Sequence, residues 1–511
     1  MKNMGKNMQP KTGIYKFREW RGLVDSAYDY AMWCRLWYKL IKWAMGHPVQ
    51  NVKAIFRYRW MFNYLTVPSF FDRNCEGFRG AALRGGRNNF LVLTDAVTKN
   101  LDIILSADLN LHPHSKKAEE LSKKIICMDE LVPSLLCAGF PENDVVLYQM
   151  VPMYLPSLIN QQSPTHYISQ SELYGLPADV CPLPSFEAGL AIEDDYPKIG
   201  CCMISCNMPC DGSIMTTPIQ DRRHGLPTQP LNVPLRWKRE EVQEYAVAEI
   251  LSAIEFIEKH TGKKYDWDAL KAACEIWNEQ QKLKFEKWEF NRTKFPPHTG
   301  SSTWMYRIFE HQAVCGNKAA MENDRKVNKI LAREVASGKC KKDIRYRTVI
   351  WNTPANNYAN FNNWIMNAWG VESVIEMIDI HGSQLIDTSS RDSMIMGLTN
   401  MVQTSTMRAH TKGGSEVMID DMWRCYDEFN CDFAVLFDQI SCKGVGAING
   451  LFEESARKRG AKLCKVRQDL MEPTSISRRD MRADVNTFMS TVLNAEPVDP
   501  TLIEFDDDES W

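Results

Sequence analysis

The chain of 511 residues contains no uninterrupted apolar run approaching the roughly 18 residues that a membrane-spanning helix needs. No membrane partner is therefore expected. Its start, Met1-Lys2-Asn3-Met4-Gly5, leads into polar sequence without the hydrophobic core of a signal peptide, so a cytoplasmic location is expected. Charge of one sign is also lacking: 61 Lys and Arg stand against 64 Asp and Glu, for a net charge of −3. A protein with that balance has no global basic field with which to release phosphate counterions, and nucleic acid is not an expected partner. Cysteine is too sparse for a disulfide scaffold, with 16 in the whole chain, and the thiols are expected to stay reduced. Paired Cys-x-x-Cys knuckles are missing, which excludes a zinc ribbon.

Hydrophobic residues at 44% and charged residues at 24% are ordinary for a folded globular protein. The length exceeds what one hydrophobic core serves, so two or three domains sharing an interface are expected. Residues 15 to 80 are rich in aromatic and basic residues (Trp20, Tyr28, Trp33, Trp37, Trp43, Trp60 among them) without strand-like alternation. They read as helices packing aromatic faces into a core or subunit interface rather than as a nucleic-acid surface. The glycines Gly77, Gly80, Gly85 and Gly86 lack strand and helix framing and read as a loop.

From about residue 98 short apolar runs alternate with helical stretches. Asp102 to Ser106 reads as a strand, Lys116 to Lys124 as a helix, and Asp144 to Tyr148 as a strand; Ile199 to Ile204 delivers the chain into a cysteine-rich segment. Apolar residues recur at helical spacing in Val242, Ala246, Ile250, Ile254 and Ile257, and a break at Thr261-Gly262-Lys263-Lys264 precedes a second helix from Trp267 to Glu289. A second α/β section begins at Tyr346 to Trp351. It continues through Val374 to Ile380, a helix from Met418 to Phe429, the strand Phe433 to Phe437, a helix to Arg459 and the strand Lys462 to Val466. The fold expected is α/β: two Rossmann-like parallel-sheet domains joined by a helical hairpin, with a helical N-terminal extension. The expected divisions are 1–95 (extension), 96–238 (first α/β domain), 239–340 (helical linker), 341–495 (second α/β domain) and 496–511 (acidic tail).

Four cysteines, Cys201, Cys202, Cys206 and Cys210, crowd into ten residues, and the others are scattered. Three lie in loops before sequence that can turn into a helix: Asp179-Val180-Cys181-Pro182, Met208-Pro209-Cys210-Asp211 and Ile440-Ser441-Cys442-Lys443. Thiolates from separate loops between two domains suit an iron-sulfur cluster held at three corners, and they also suit ordinary buried cysteines; spacing alone leaves both open.

The segments Ala178-Asp179-Val180-Cys181, Cys202 through Cys210 with Arg222-Arg223-His224-Gly225-Leu226-Pro227 and Asn232-Val233-Pro234, Ser441-Cys442-Lys443, and Gln468-Asp469-Leu470 to Arg482 resemble the 2-hydroxyacyl-CoA dehydratase and benzoyl-CoA reductase family over residues 96 to 495. The resemblance implies a heterodimer with a homologous second subunit. It implies a [4Fe-4S] cluster on Cys181, Cys210 and Cys442, with Cys206 the rival of Cys210, and an ATP-dependent [4Fe-4S] activator protein that injects one low-potential electron. The implied reaction is dehydration of an (R)-2-hydroxyacyl-CoA through a ketyl radical anion. Alternatives on the same scaffold are ATP-dependent reduction of an aryl-CoA and a subunit that carries electrons without binding substrate. Glu130, in Asp129-Glu130-Leu131, is the candidate for proton transfer, with a helix-start role as its alternative. Ser441 is the candidate donor to a cluster sulfur, or a helix cap. His381 and His410 are loop histidines that could approach a ligand. The chain departs from the family at Thr216, where a tryptophan is common, and at Trp351-Asn352-Thr353-Pro354, where a glycine or small turn is usual.

Overall fold

The computed structural model describes residues 18–129, 132–160, 163–206, 225–234, 239–338, 343–406, 409–410 and 414–504, with 212, 219, 222 and 223. Eight strands among them form two four-stranded, wholly parallel sheets. The first contains β1 (Ile125–Met128), β2 (Asp144–Leu147), β3 (Cys202–Cys206) and β4 (Thr228–Leu231), in the order β2-β1-β3-β4. The second contains β5 (Tyr346–Trp351), β6 (Val371–Glu376), β7 (Phe433–Gln439) and β8 (Leu463–Gln468), in the order β6-β5-β7-β8. The two orders are the same, so each half repeats one doubly wound plan with its switch point between the first and third strands. The expected α/β architecture is thus the one found. Strand β5 is pinned to β7 from Thr348 opposite Phe433 to Trp351 opposite Leu436, and both strands are buried on both faces, as parallel sheets require.

The helices that position the site are α1 (Arg18–Gly46), α2 (Gly80–Ala107), α3 (Pro182–Ile192), α4 (Glu240–Thr261), α5 (Trp267–Arg292), α6 (Ser301–Ala313), α7 (Lys318–Ser337) and α8 (Lys443–Arg459). Helices α4 and α5 are the hairpin expected from the sequence. Gly262 ends α4 at φ 68°, a left-handed cap that costs glycine little, and Asp266 starts α5 by accepting from Asp268 N and Ala269 N. Helix α5 joins the halves physically. Its first part packs with the first sheet through Leu270, Cys274 and Trp277, and at its end Asn291 donates to Val374 O of β6 at 3.0 Å.

Two expectations are corrected. Residues Asp102 to Ser106 are not a strand but the last turns of α2; Val97, Leu101, Ile104 and Leu105 are all buried at helical spacing, which a five-residue window cannot reveal. Gly80, Gly85 and Gly86 are not loop either. They lie within α2, where glycine permits close crossing: a Cβ on Gly85 would stand 2.8 Å from Thr299 Cγ2. The boundary expected near residue 95 falls inside this helix. The N-terminal helices share one apolar core with the first sheet, in which Phe71 stacks on Phe90 with centroids 4.5 Å apart, and Arg87 is buried against Asp29 and Asp72. Among the described residues, no helix is long and apolar enough to cross a membrane.

Candidate active site between the sheets

Cys181 and Cys442 occupy equivalent local positions, each being the N-cap residue of a helix. Cys181 precedes Pro182 at the start of α3, whose fixed φ suits a first helical position. Cys442 follows the carboxyl end of β7 and starts α8; its sulfur accepts from Val445 N at 3.5 Å, so it does the work that Ser, Asp or Asn does at other helix starts. Both thiols are partly buried, and each residue stands at the N-terminus of a helix. The two loops meet. Asp179 and Lys443, two residues before one cysteine and one after the other, pair at 2.8 Å across the two halves of the chain. The pair is solvent-exposed and contributes little stability, and it marks where the two loops approach each other. The side chain of Lys443 also pulls the Asp179 carboxyl below the usual carboxylate range through a hydrogen bond.

Of the crowded cysteines, Cys202 lies in the buried core on β3, and Cys201 donates to Ile125 O at 3.2 Å. Both face the wrong end of the sheet for a site at the strand carboxyl ends. Cys206 ends β3, and Cys210 lies outside the described residues, as does Glu130. The strands that lead to them, β3 and β1, are direct neighbours at the switch point. Among the described residues no group of three or more His, Cys, Asp or Glu is placed to hold a metal ion. Ser441 accepts from Gln439 Nε2 at 2.7 Å and bonds to the buried Asp469, while the cap of α8 is Cys442.

At the end of β5, where the family pattern has a small turn, Asn352 takes a positive φ of 67° and donates to Phe437 O at 2.7 Å. Asparagine is the side chain best suited to that backbone region after glycine, so the departure at Asn352 preserves the turn.

A second group of polar side chains, of which only His381 and His410 stand out in the sequence, lies at the carboxyl edge of the second sheet. Helix α6 is buried along its length although it carries Arg307, Glu310 and His311. It spans both sheet edges: Cys315, just beyond it, donates to Ser134 after β1 at 3.2 Å, and His311 packs against His381 after β6 with ring centroids 4.1 Å apart. The buried face of α5 changes character along its length, from Leu270, Cys274 and Trp277 to Gln280, Gln281, Lys284, Lys287 and Asn291. Lys284 donates to His381 O at 3.2 Å, and Lys287 to Thr303 Oγ1 at 3.1 Å. Burial, with repulsion from Arg307, pulls both ammonium groups down to about 8. Burial and the neighbouring Asp379 push Glu376 up to about 8. His381 is held neutral by burial and by His311; its Nδ1 accepts from Thr406 N at 3.2 Å. His410 is buried beside Trp351 and contacts Asp421 at 3.2 Å. The sequence signal for this group was a helical stripe in α5 whose buried positions turn from apolar to polar.

The model of the family described as 2-hydroxyglutaryl-CoA dehydratase, D-component, matches residues 137–491, well over half of the chain. The chain belongs to this family. The match takes in Cys181, Cys210 and Cys442, both cysteine-bearing loops and the polar face of α5. No curated protein matches the chain.

Proposed function

We propose that this chain is the cluster-bearing component of an oxygen-sensitive (R)-2-hydroxyacyl-CoA dehydratase, working in the cytoplasm beside a homologous second subunit and an ATP-dependent [4Fe-4S] activator. The observation that carries the reading is the meeting of the Cys181 and Cys442 loops through Asp179 and Lys443, with both thiols at helix N-termini. Two partly buried thiols on separate loops suit soft iron ligands, and Cys210, following β3 in the sequence, is the third. A [4Fe-4S] cluster on these three residues supplies, when bound, low-potential one-electron transfer to a thioester.

The protein's own groups do the rest. Helices α3 and α8 carry the two thiols at their N-termini, one from each half of the chain. Glu130, next to the switch point of the first sheet in sequence, moves the proton during departure of the 2-hydroxyl. Ser441, held by Gln439 and Asp469, orients the Cys442 loop.

Iron and sulfide analysis of anaerobically purified protein tests the assignment. Cys181→Ala, Cys210→Ala and Cys442→Ala should each lower bound iron and abolish formation of enoyl-CoA from a 2-hydroxyacyl-CoA in the presence of activator and ATP. Iron content unchanged in all three variants would remove the cluster from this chain.

A further inference from the structure

Charge is nearly balanced over the whole chain but segregated along it. The first 71 residues carry 12 Lys and Arg against 3 Asp and Glu, and the rest of the chain carries 49 against 61. From Tyr30 to Phe71 there is no acidic residue, while Arg35, Lys39, Lys42, Lys53, Arg57 and Arg59 fall in the same stretch. Lys39 pairs with Asp95 and Arg57 with Asp194. Arg35, Lys42 and Lys53 are exposed, and none of the three has a carboxylate partner among the described residues.

The same helices turn apolar side chains outward. Helix α1 buries Met32, Leu36 and Leu40 against the core. A step of two residues is about 200° around an α-helix, so Tyr38, two residues after Leu36, faces away from that core. Tyr30, Tyr38, Ile41 and Met45 share its side of the helix and are all exposed, Met45 at 71%. The next helix, Pro48–Arg57, buries Asn51 and Ala54 and exposes Val52 and Phe56, the latter at 87%. Of the nineteen exposed large apolar side chains among the described residues, eleven lie between Leu23 and Leu65. An apolar surface concentrated in this way marks a place of contact with something else.

Beside the stripe, α1 and α2 border an open cavity of about 450 Å³. Arg35 and Lys42 line it together with Tyr38 and Trp43. Its acids, Asp95 and Asp102, are taken by Lys39 and His47. The cations left over suit a phosphate.

An outward apolar stripe, aromatic rings and a basic flank without acids are what a helix lying along an anionic bilayer presents. The apolar side chains enter the boundary of headgroups and acyl chains, Tyr and Trp sit at headgroup level, and Lys and Arg meet the anionic lipids. A protein surface fits this face less well, because protein interfaces are depleted in lysine and Lys39, Lys42 and Lys53 all stand here. No described helix is long and apolar enough to cross a membrane, and a helix lying along the headgroups crosses nothing.

We infer that the outer face of α1 and of the helix Pro48–Arg57 docks on a bilayer rich in anionic phospholipid, with headgroup phosphates at Arg35, Lys42 and Lys53. The surface lies outside residues 137–491, which the family model matches, and the inference does not rest on the dehydratase reading.

The test is flotation of the anaerobically purified full chain with vesicles of equimolar phosphatidylglycerol and phosphatidylcholine, and with vesicles of phosphatidylcholine alone. Wild type should partition at least about tenfold more strongly to the anionic vesicles, and added KCl should shrink that excess by screening. Arg35→Glu with Lys42→Glu should remove most of the excess. Ile41→Ser with Met45→Ser should weaken binding to the anionic vesicles at least about tenfold. All four side chains are exposed, so circular dichroism and the thermal midpoint should stay as in wild type. Equal partition of wild type to the two vesicle types, or either double variant binding as wild type does, overturns the proposal. So does flotation that vanishes once the chain is paired with its second subunit, which assigns the face to a protein interface.

Discussion

At the residue scale the molecule holds its charges in committed sets, and the consequences of removing one member differ from set to set. Arg87 is fully buried with Asp29 and Asp72 around it. Replacing one partner of a buried ionic group leaves charge without compensation, which costs about 3–5 kcal/mol, whereas an exposed pair such as Asp179 and Lys443 contributes little. Arg87→Met is therefore expected to lower the urea midpoint of unfolding by the equivalent of about 3–5 kcal/mol. A change under about 1 kcal/mol would show that Arg87 contributes no more than an exposed pair. The sequence shows Arg87 as one of 61 basic residues. Nothing local distinguishes it, because its partners lie 58 and 15 residues away.

At the scale of elements, α2 is the clearest case of a helix whose sequence is read by its neighbours. Its glycines look like loop punctuation, yet the backbone is helical because α2 must pass close to Thr299 before α6 and to Val327 of α7. A β-carbon at Gly85 would meet Thr299 Cγ2 at 2.8 Å and Val327 Cγ1 at 3.4 Å. Gly85→Val is expected to destabilise by about 1–3 kcal/mol through overpacking, read as a lower midpoint of thermal unfolding. The hairpin of α4 and α5, by contrast, was legible in advance: apolar spacing, a left-handed glycine cap and an aspartate N-cap all act within a few residues of each other. So were β5, β7 and β8 and the helices between them, since strand, turn and helix signals repeat there at short range.

At the scale of the whole molecule, the buried titratable groups set a pH dependence of stability with two limbs. Glu376 keeps its proton in the folded state up to about 8, while the unfolded chain releases it near the ordinary glutamate value of 4.5. The folded state binds more protons in that window, so stability falls as pH rises from 4.5 to 8. Lys284 and Lys287 act above it. Unfolded lysine keeps its proton to 10.5 and the folded ammonium groups release theirs near 8, so stability rises from pH 8 to 10.5. Urea unfolding across pH 5 to 10 should show a minimum near 8 with limbs of a few kcal/mol each. Glu376→Gln should flatten the lower limb, and Lys284→Met with Lys287→Met the upper one. A wild-type curve without the minimum would mean that these groups are hydrated.

The sequence by itself determined the α/β class, the helical hairpin, and the loop contexts of Cys181 and Cys442, because each depends on hydrophobic period, turn residues and helix starts that act over a few residues. It also determined the absence of a membrane-length apolar run. Tertiary structure alone decided that the two cysteine loops meet at Asp179 and Lys443, that α2 rather than a strand fills residues 102 to 106, and that two lysines of α5 lie buried. The physical reason is the same in each case: pairing, close approach and desolvation depend on what the rest of the chain brings near, and residues hundreds of positions apart leave no local mark of it.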